Sequence, residues 1–260
     1  MNVATGQGKA GWLLIGMLLT IAACTVVMLN AQYLPMDVSA NSGETFGPAC
    51  GAAILDGNIN PGEWSSASRQ TFQMTNSGSA DPFTATLYVM NSGYYLYLGI
   101  TINDDEFTTQ GQYLPEGDEF RIDFDNDHSG SLFALGDDNV CISAGSPQFQ
   151  DQHIYSLPKS CRLDVEGGGT SDGTGAASRV GDQNHFELRH PLCSGDSLDF
   201  CLSPTHTVGF RLEYLDAEAD GGFGSSQFFP GSGNASEASI VIAGECSNLD
   251  SFVYLPLVKK

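Results

Sequence analysis

The sequence predicts an all-β fold, an antiparallel β-sandwich, on the strength of three observations. Several segments alternate apolar and polar residues, which is the pattern of strands that bury one face. Turns rich in Gly, Asn and Asp separate these segments. After residue 31, no long segment shows the period of a helix. Many short strands joined by such turns are typical of a two-sheet sandwich.

The N-terminal residues 1–31 have the composition of an export signal. Lys9 precedes an uncharged apolar run from Trp12 to Leu29, whose length lies between that of a signal peptide and that of a membrane anchor. Three fates stay open: cleavage after Ala31, retention as an anchor, and acylation of Cys24. All three fates predict a secreted or cell-surface protein with bacterial-type export. The protein would contact a membrane only through residues 1–31, and only if this segment is retained or lipidated.

The remainder of the 260-residue chain is long enough for one sizeable core. Residues 32–48 are polar and turn-rich, as in a linker. We expect a folded module over residues 49–248 and a C-terminal tail over residues 249–260. Period-two patterns predict strands at 83–90, 94–102, 118–125, 185–190, 207–215, 238–243 and 252–257. The glycine-rich segments 165–178 and 216–227 are expected to be loops.

Within the clearest strands, alternation also predicts which side chains face the core. The residues expected to point inward are Phe83, Ala85, Leu87 and Val89, then Tyr94, Leu96, Leu98, Ile100 and Ile102, then Phe120, Ile122 and Phe124, and finally Val208, Phe210, Leu212 and Tyr214.

Six cysteines follow Cys24, and an even number in an exported chain predicts three disulfides. The favoured pairs are Cys193–Cys201, which closes a short loop, Cys141–Cys161, and Cys50–Cys246, which ties the ends of the module together. No CxxC motif occurs, which disfavours a zinc site or a thioredoxin-like redox role.

The chain is strongly acidic, with 10 Lys and Arg against 31 Asp and Glu and a formal net charge of −21. This charge repels polyanions, so no nucleic-acid partner is expected and anionic lipid is a poor partner. The same composition suits an extracellular protein that holds divalent cations, and it equally suits a protein that is merely soluble.

An acidic loop begins with the spacing DxDxSG, formed by Asp125, Asp127, Ser129 and Gly130. Alternate oxygen-bearing residues in such a loop point at one centre, and calcium takes six to eight oxygen ligands. The twelfth position, Gly136, lacks the Glu of an EF-hand, but two carboxylates follow directly. The predicted calcium ligands are therefore Asp125, Asp127, Ser129, Asp137 and Asp138, with calcium as a structural cofactor. The alternative is a solvated acidic turn.

A second acidic segment, residues 103–106, ends the strand 94–102, and Asp118 is expected to face it. A polar strand-end loop is favoured there over a second cation site.

Three segments together resemble family 9 carbohydrate-binding modules and the wider group of DOMON-like β-sandwich domains. They are ILDGNINPGEW (54–64), ATLYVMNSGYYLYLGITINDDEF (85–107) and GDEFRIDFDNDHSG (117–130), and the resemblance covers about residues 50–245. It implies a jelly-roll-like sandwich, a structural calcium ion and sugar binding, or haem binding as in other DOMON relatives. The matching positions are Asp56, Gly57, Glu63 and Trp64 in the opening motif, and Asp125 and Asp127 in the metal-site region.

The chain departs from the family at the sugar site, because glycan-binding members hold the sugar between tryptophans. Here only Trp12 and Trp64 occur, and Trp64 is expected to pack in the core. Tyr88, Tyr95 and Tyr97 lie opposite the core residues of their strands and offer a substitute stacking platform. The alternative is that these tyrosines pack under a covering loop.

The sequence thus predicts an exported, calcium-stabilised, non-catalytic module whose most favoured partner is a glycan. The main alternative is a structural or adhesive surface protein of the same fold with no small-molecule ligand. A haem-binding domain is disfavoured because no His or Met stands in a diagnostic spacing. An enzyme, including a glycosidase, is disfavoured because no GxSxG, HExxH or P-loop motif occurs.

Overall fold

A computed structural model of the chain describes residues 44–76, 81–111, 114–218, 223–233 and 236–246. It confirms the all-β, antiparallel sandwich. The predicted targeting segment, most of the predicted linker, the strand expected at 252–257 and the C-terminal tail lie outside the described residues. Within those residues, no helix is both long enough and apolar enough to cross a membrane.

Thirteen strands and one single-turn helix make up the described part of the chain. They are β1 (Thr45–Phe46), β2 (Ser68–Met74), β3 (Phe83–Asn91), β4 (Tyr95–Asn103), β5 (Glu119–Asp125), β6 (Asp138–Ser143), β7 (Phe149–Ser156), β8 (Ser160–Leu163), α1 (Asp164–Gly167), β9 (Thr174–Val180), β10 (Gln183–Pro191), β11 (Thr207–Ala217), β12 (Phe223–Phe229) and β13 (Ala238–Val241).

The strands form two sheets. The large sheet has the order β1-β13-β11-β5-β6-β7-β8, and β12 also pairs with β11. The small sheet has the order β2-β3-β4-β10-β9. Every pairing described is antiparallel except that of β1 with β13, which is parallel. The inward faces of both sheets meet in one apolar core.

The core residues expected from alternation are buried in the structure, with two exceptions. Phe83 is half-buried and packs against the core. Tyr94 is 67% exposed, because β4 begins one residue later. The hydroxyl of Ser92 accepts hydrogen bonds from the N–H groups of Tyr94 and Tyr95, which places Tyr94 in the turn before the strand.

Strands that carry polar residues on both faces were not predicted from the sequence, because they lack a period-two apolar pattern. The segments expected to be loops are in fact partly strand, since Thr174–Val180 forms β9 and Phe223–Phe229 forms β12. In β9 the small side chains of TGAASRV show no alternation, and pairing with β10 defines this edge strand. Its partner β10 supplies the regular apolar pattern that β9 lacks.

Two of the three expected disulfides are present. Cys50–Cys246 and Cys193–Cys201 have Cα–Cα distances of 5.4 and 4.1 Å. The expected Cys141–Cys161 bond is wrong, and both residues are free thiols. Cys141 lies on β6 and Cys161 on β8, with β7 paired between them. Two strand spacings of roughly 4.8 Å each exceed the reach of a disulfide.

The opening motif belongs to an N-terminal strap, residues 49–67, that lies across the outer face of the small sheet. The Glu187 carboxylate of β10 holds it, accepting hydrogen bonds from the N–H of Gly57 at 2.7 Å and the Trp64 indole N–H at 2.9 Å. Trp64 is buried against Met90 and Tyr97, as expected from sequence. Gly99 lies beneath its ring, where a Cβ atom would be 3.0 Å from the indole.

Candidate functional site

The three tyrosines of the expected sugar platform do not form an open surface, and this expectation is corrected. Tyr97 is 3% exposed and packs against Trp64 of the strap. Tyr88 is half-buried, and its ring meets that of Trp64 edge-on at 6.1 Å. Tyr95 is half-buried under the guanidinium of Arg189, 4.9 Å from its ring. The covering segment of the alternative interpretation is the strap.

The expected calcium loop is built around Asp125, which ends β5. Its carboxylate accepts hydrogen bonds from the N–H of Gly130 at 2.8 Å and from both the N–H and the hydroxyl of Ser129, at 3.0 and 3.2 Å. Burial raises the pKa of the Asp125 carboxyl, but the N–H groups of Ser129 and Gly130, together with hydrogen bonding to the Asp127 side chain, outweigh burial and hold the pKa below its ordinary value. Ser129 therefore supports Asp125 rather than pointing at a shared centre.

Of the remaining expected ligands, Asp127 and Asp137 lie near Asp125, and Asp138 lies apart from them. Asp127 is exposed, and Asp137 accepts the N–H of Ala134 at 2.7 Å. Asp138 begins β6 and points inward, in phase with Val140. Asp137 precedes the strand and accepts hydrogen bonds within the loop, whereas Asp138 faces the core, so the two carboxylates do not share a centre. The alternation Asp138, Val140, Ile142 was the signal in the sequence that showed this.

Glu237 is a carboxylate at this loop that the sequence analysis missed. It comes directly before β13, and burial together with the neighbouring Asp125 raises its pKa to about 7. Its Oε2 atom has no hydrogen-bond donor, and its Oε1 atom lies 3.6 Å from His128 Nε2. Burial and the charges of Asp125 and Asp127 likewise raise the pKa of Asp137 to about 6. These loop carboxylates, Asp125, Asp127, Asp137 and Glu237, repel one another without a cation.

A second group of carboxylates is enclosed between the sheets, and it is called the buried acidic cluster below. Its members come from β6, β7, the start of α1, β10 and the loop 193–201, and each is at most 7% exposed: Asp138, Asp151, Asp164, His190 and Asp199. Ligand atoms of Asp138, His190 and Asp199 lie within 4.8 Å of one another, and so do those of Asp151, Asp164 and Asp199.

Two chain segments bring the loop-borne members of the buried acidic cluster into place. The Cys193–Cys201 disulfide closes the loop that carries Asp196 and Asp199. In the facing segment, the N–H of Thr170 donates to Asp196 at 2.6 Å, and the N–H of Asp172 donates to Asp151 at 2.6 Å. Asp172, Asp196 and Asp199 form a further carboxylate group nearer the surface. No pattern in the sequence indicates that these separate segments converge.

The electrostatics of the buried acidic cluster are unbalanced. Burial raises the pKa of Asp138 well above its ordinary value, and burial with the nearby Asp199 raises that of Asp164 to about 8. Burial lowers the pKa of His190, but its interactions with the carboxylates of Asp151, Asp138 and Asp199 outweigh burial and raise the pKa to about 9. One imidazole faces four carboxylates, so negative charge is in excess.

The strand-end acidic segment is a hydrogen-bonded polar network. Asp104 accepts the hydroxyl of Tyr214 at 2.5 Å, and Asp118 accepts the N–H groups of Thr108 and Ala217, each at 2.9 Å. Arg179 donates to the carbonyl oxygens of Asp104, Asp105 and Glu106. The polar groups of this segment thus bond to neighbouring side chains and backbone, as expected for a polar loop at the end of a strand.

The outer face of the large sheet is polar and fixed by its own hydrogen bonds. We call it the polar face; its residues are Glu119, Arg121 and Asp123 of β5, Asn139 and Cys141 of β6, Gln150 and Gln152 of β7, Arg211 and Glu213 of β11, and the adjacent Lys159. At its centre the Asp123 carboxylate accepts from Asn139 at 2.6 Å, Arg211 at 2.8 Å and Lys159 at 2.9 Å.

The acidic loop covers one end of the polar face. Its Phe133, which has a φ of 73°, lies 4.4 Å from the Arg211 guanidinium and 5.0 Å from Lys159 Nζ. Beyond this cover, Arg121 keeps a 32% exposed side chain and bonds Glu119 at 2.5 Å. Gln150 and Gln152 are half-buried and linked at 2.8 Å. Arg121, Gln150 and Gln152 therefore meet solvent here, while the polar-face residues of β11 and the rest of those of β5 and β6 are buried.

Comparison with known proteins gives a result for structure alone, since no protein-family model and no curated protein matches the chain. A family 9 carbohydrate-binding module from Caldicellulosiruptor kristjanssonii in complex with cellotriose matches 81% of this chain and 97% of its own, with a TM-score of 0.51 and 14% identity. The glucose complex of a family 9 module from the same organism matches 80% of this chain and 100% of its own, with a TM-score of 0.54 and 14% identity.

A third structure, described as a putative carbohydrate-binding protein from Bacteroides uniformis, matches 77% of this chain and 99% of its own, with a TM-score of 0.53 and 8% identity. At these identities the likeness concerns the fold. The described sandwich is thus the fold of family 9 carbohydrate-binding modules, as the resemblance in the sequence implied.

Proposed function

We propose that this chain, which shares its fold with family 9 carbohydrate-binding modules, is a non-catalytic carbohydrate-binding module exported to the cell surface or beyond. The observation that carries the proposal is the likeness, over about four fifths of the chain, to structures bound to cellotriose and glucose. The apolar run from Trp12 to Leu29 and the two disulfides support export, because disulfides persist in oxidising compartments.

The polar face is the surface proposed to bind the sugar. A sugar presents hydroxyl groups that both donate and accept, and these are matched by charged and amide side chains already held in place. Arg121, Gln150 and Gln152 supply such groups on adjoining strands. The outer face of the small sheet is a poorer candidate, because the strap covers much of it and takes up Tyr88 and Tyr97.

A screen against immobilised glycans tests the proposed function as a whole. The full chain should bind one class of glucose-containing oligosaccharide and leave its chain length unchanged after prolonged incubation. Release of shorter products would replace the binding module by a glycosidase. Binding to no glycan would favour the alternative of a structural or adhesive surface protein on the same fold.

Calcium remains the proposed structural cofactor, now with Asp125, Asp127, Asp137 and Glu237 as the loop carboxylates that face it. A hard cation with oxygen ligands would relieve the repulsion that raises the pKa values of Asp137 and Glu237. Ser129 and Asp138 leave the expected set, because Ser129 donates to Asp125 and Asp138 faces the core.

Asp127→Ala tests the calcium site through thermal melts. The variant should melt several degrees below the wild type in millimolar calcium, and close to it in chelator, because only the cation makes Asp127 stabilising. Asp105→Ala, an acidic residue of the strand-end segment, serves as the matched control and should leave the calcium response intact. An equal loss for Asp127→Ala in calcium and in chelator would remove the metal role.

A further inference from the structure

The buried acidic cluster has the unpartnered ligand atoms of a metal site. Both carboxylate oxygens of Asp138 and of Asp199, Asp151 Oδ1, Asp164 Oδ2 and His190 Nε2 are buried with no hydrogen-bond partner. Unpaired buried polar atoms are rare, since each costs free energy that water or a donor would otherwise offset. Seven such atoms in one enclosed place call for a positively charged occupant.

The imidazole of His190 is oriented as in a metal ligand. Its Nδ1 lies 2.9 Å from the carbonyl oxygen of Pro191, to which an N–H at that position donates. Its Nε2 atom then points into the cluster, 3.6 Å from Asp151 Oδ1 and 3.8 Å from Asp199 Oδ2. Metal-bound histidines commonly donate their other ring N–H to a carbonyl in this way.

Two carboxylates are also held from outside the cluster. His153 Nδ1 lies 2.8 Å from Asp164 Oδ1, and the N–H of Asp172 donates to Asp151 Oδ2 at 2.6 Å. In each case one oxygen is engaged by this outer partner and the other is left free towards the centre. Gly167 allows the close approach of His153, because a Cβ atom there would lie 2.5 Å from the imidazole Cε1.

We propose that the buried acidic cluster binds a divalent transition-metal ion, such as Zn²⁺ or Mn²⁺, through His190, Asp138 and Asp199, with Asp151 and Asp164 beside them. The ligand atoms of His190, Asp138 and Asp199 lie within 4.8 Å of one another, so side-chain shifts of a few tenths of an ångström bring them to bonds of about 2.0–2.2 Å around one ion. An imidazole nitrogen favours such ions over calcium, which prefers six to eight oxygens. The proposal is independent of sugar binding and of the loop carboxylates.

The ion would link the two sheets. Asp138 and Asp151 belong to the large sheet and His190 to the small sheet, while Asp199 belongs to the disulfide-closed loop. Occupancy would therefore stabilise the folded state as a whole, which a thermal melt detects.

The test uses the full chain, stripped with chelator and then titrated with Zn²⁺, Mn²⁺, Co²⁺ or Ca²⁺. We expect one or two bound transition-metal ions per chain after dialysis, and a melting temperature roughly 5–10 °C higher at a hundredfold excess over Kd. Co²⁺ should show visible absorption bands from nitrogen and oxygen ligation, which no effect on folding alone would produce.

Asp138→Asn separates metal binding from folding. In chelator this variant should melt at or above the wild type, because it removes a buried charge with no partner, while its metal affinity should fall about 100-fold. Asp216→Asn is the matched control, since Asp216 is a buried carboxylate outside the cluster, and it should bind metal like the wild type. Asp127→Ala should also leave this binding unchanged.

Three results would overturn the proposal. They are a wild-type melt that no transition metal shifts, a response of Asp138→Asn equal to that of the wild type, and a response through Asp138 to Ca²⁺ alone. None of these results bears on glycan binding, which is measured separately.

Discussion

Loss of the Cys50–Cys246 disulfide, in the double variant Cys50→Ser/Cys246→Ser, is expected to lower the free energy of unfolding by about 5 kcal/mol. The two cysteines are 196 residues apart in sequence. In the unfolded state, the bond therefore restrains nearly all of the chain that forms the module. Loop-closure entropy grows with the length of the closed loop, which makes this the more stabilising of the two bonds. Denaturant unfolding under non-reducing conditions measures the loss.

The matched control is Cys193→Ser/Cys201→Ser, whose bond spans only 8 residues. The same entropy argument predicts a loss of about 2.5 kcal/mol for it. A loss for the long-range bond no greater than that for the short one would contradict the chain-entropy explanation. Removal of the short bond should additionally weaken metal binding, because that loop carries Asp199.

Trp64→Ala is expected to lower the free energy of unfolding by about 4 kcal/mol, the second large effect. The indole is 2% exposed and is the main anchor of the strap on the small sheet. Its removal leaves a cavity above Gly99 and deprives Glu187 Oε1 of its donor, so packing and hydrogen bonding are lost together.

One further variant separates the packing contribution of Trp64 from its hydrogen bond, and another serves as a control. Trp64→Phe keeps most of the packing and removes the indole N–H, so it should cost about 1–3 kcal/mol. Tyr94→Ala removes an aromatic side chain of comparable size that is 67% exposed, and it should change stability by less than about 0.5 kcal/mol. If Trp64→Ala were as mild as Tyr94→Ala, the strap would not anchor the fold.

The fold was predictable because the central strands alternate clearly. β3, β4, β5 and β11 each bury one face in the shared core, and their inward residues follow from the sequence. β6 and β7 were missed because acidic and amide residues occupy both of their faces. In the sequence only its phase with Val140 and Ile142 marks Asp138 as inward-facing, and Asp151 looks like a surface residue until pairing with β6 places it opposite Val140.

The sites were less predictable for the same reason. The spacing of Asp125, Asp127 and Ser129 identified an ordered acidic loop, but a linear motif does not show which carboxylate oxygens the backbone will use. Glu237 lies 112 residues beyond Asp125 in the chain, and His190 meets Asp138 only because the two sheets stack. The prediction of an open platform at Tyr88, Tyr95 and Tyr97 was wrong. A period-two pattern shows which face of a sheet a side chain occupies, but it does not show whether another segment, here the strap, covers that face.

The central claim is that the polar face binds a sugar, and calorimetric titration of cellotriose into the full chain tests it most directly. Cellotriose is the first probe because a family 9 module of the same fold binds it.

Arg121→Ala removes the partly exposed charge of the polar face, and Arg69→Ala removes an arginine of β2 on the other sheet. We expect saturable binding to the wild type and to Arg69→Ala, and at least a tenfold weaker binding to Arg121→Ala. Equal affinity of all three proteins would contradict the placement on the polar face, and absence of binding to cellotriose and to every other glycan of the panel would contradict the function itself.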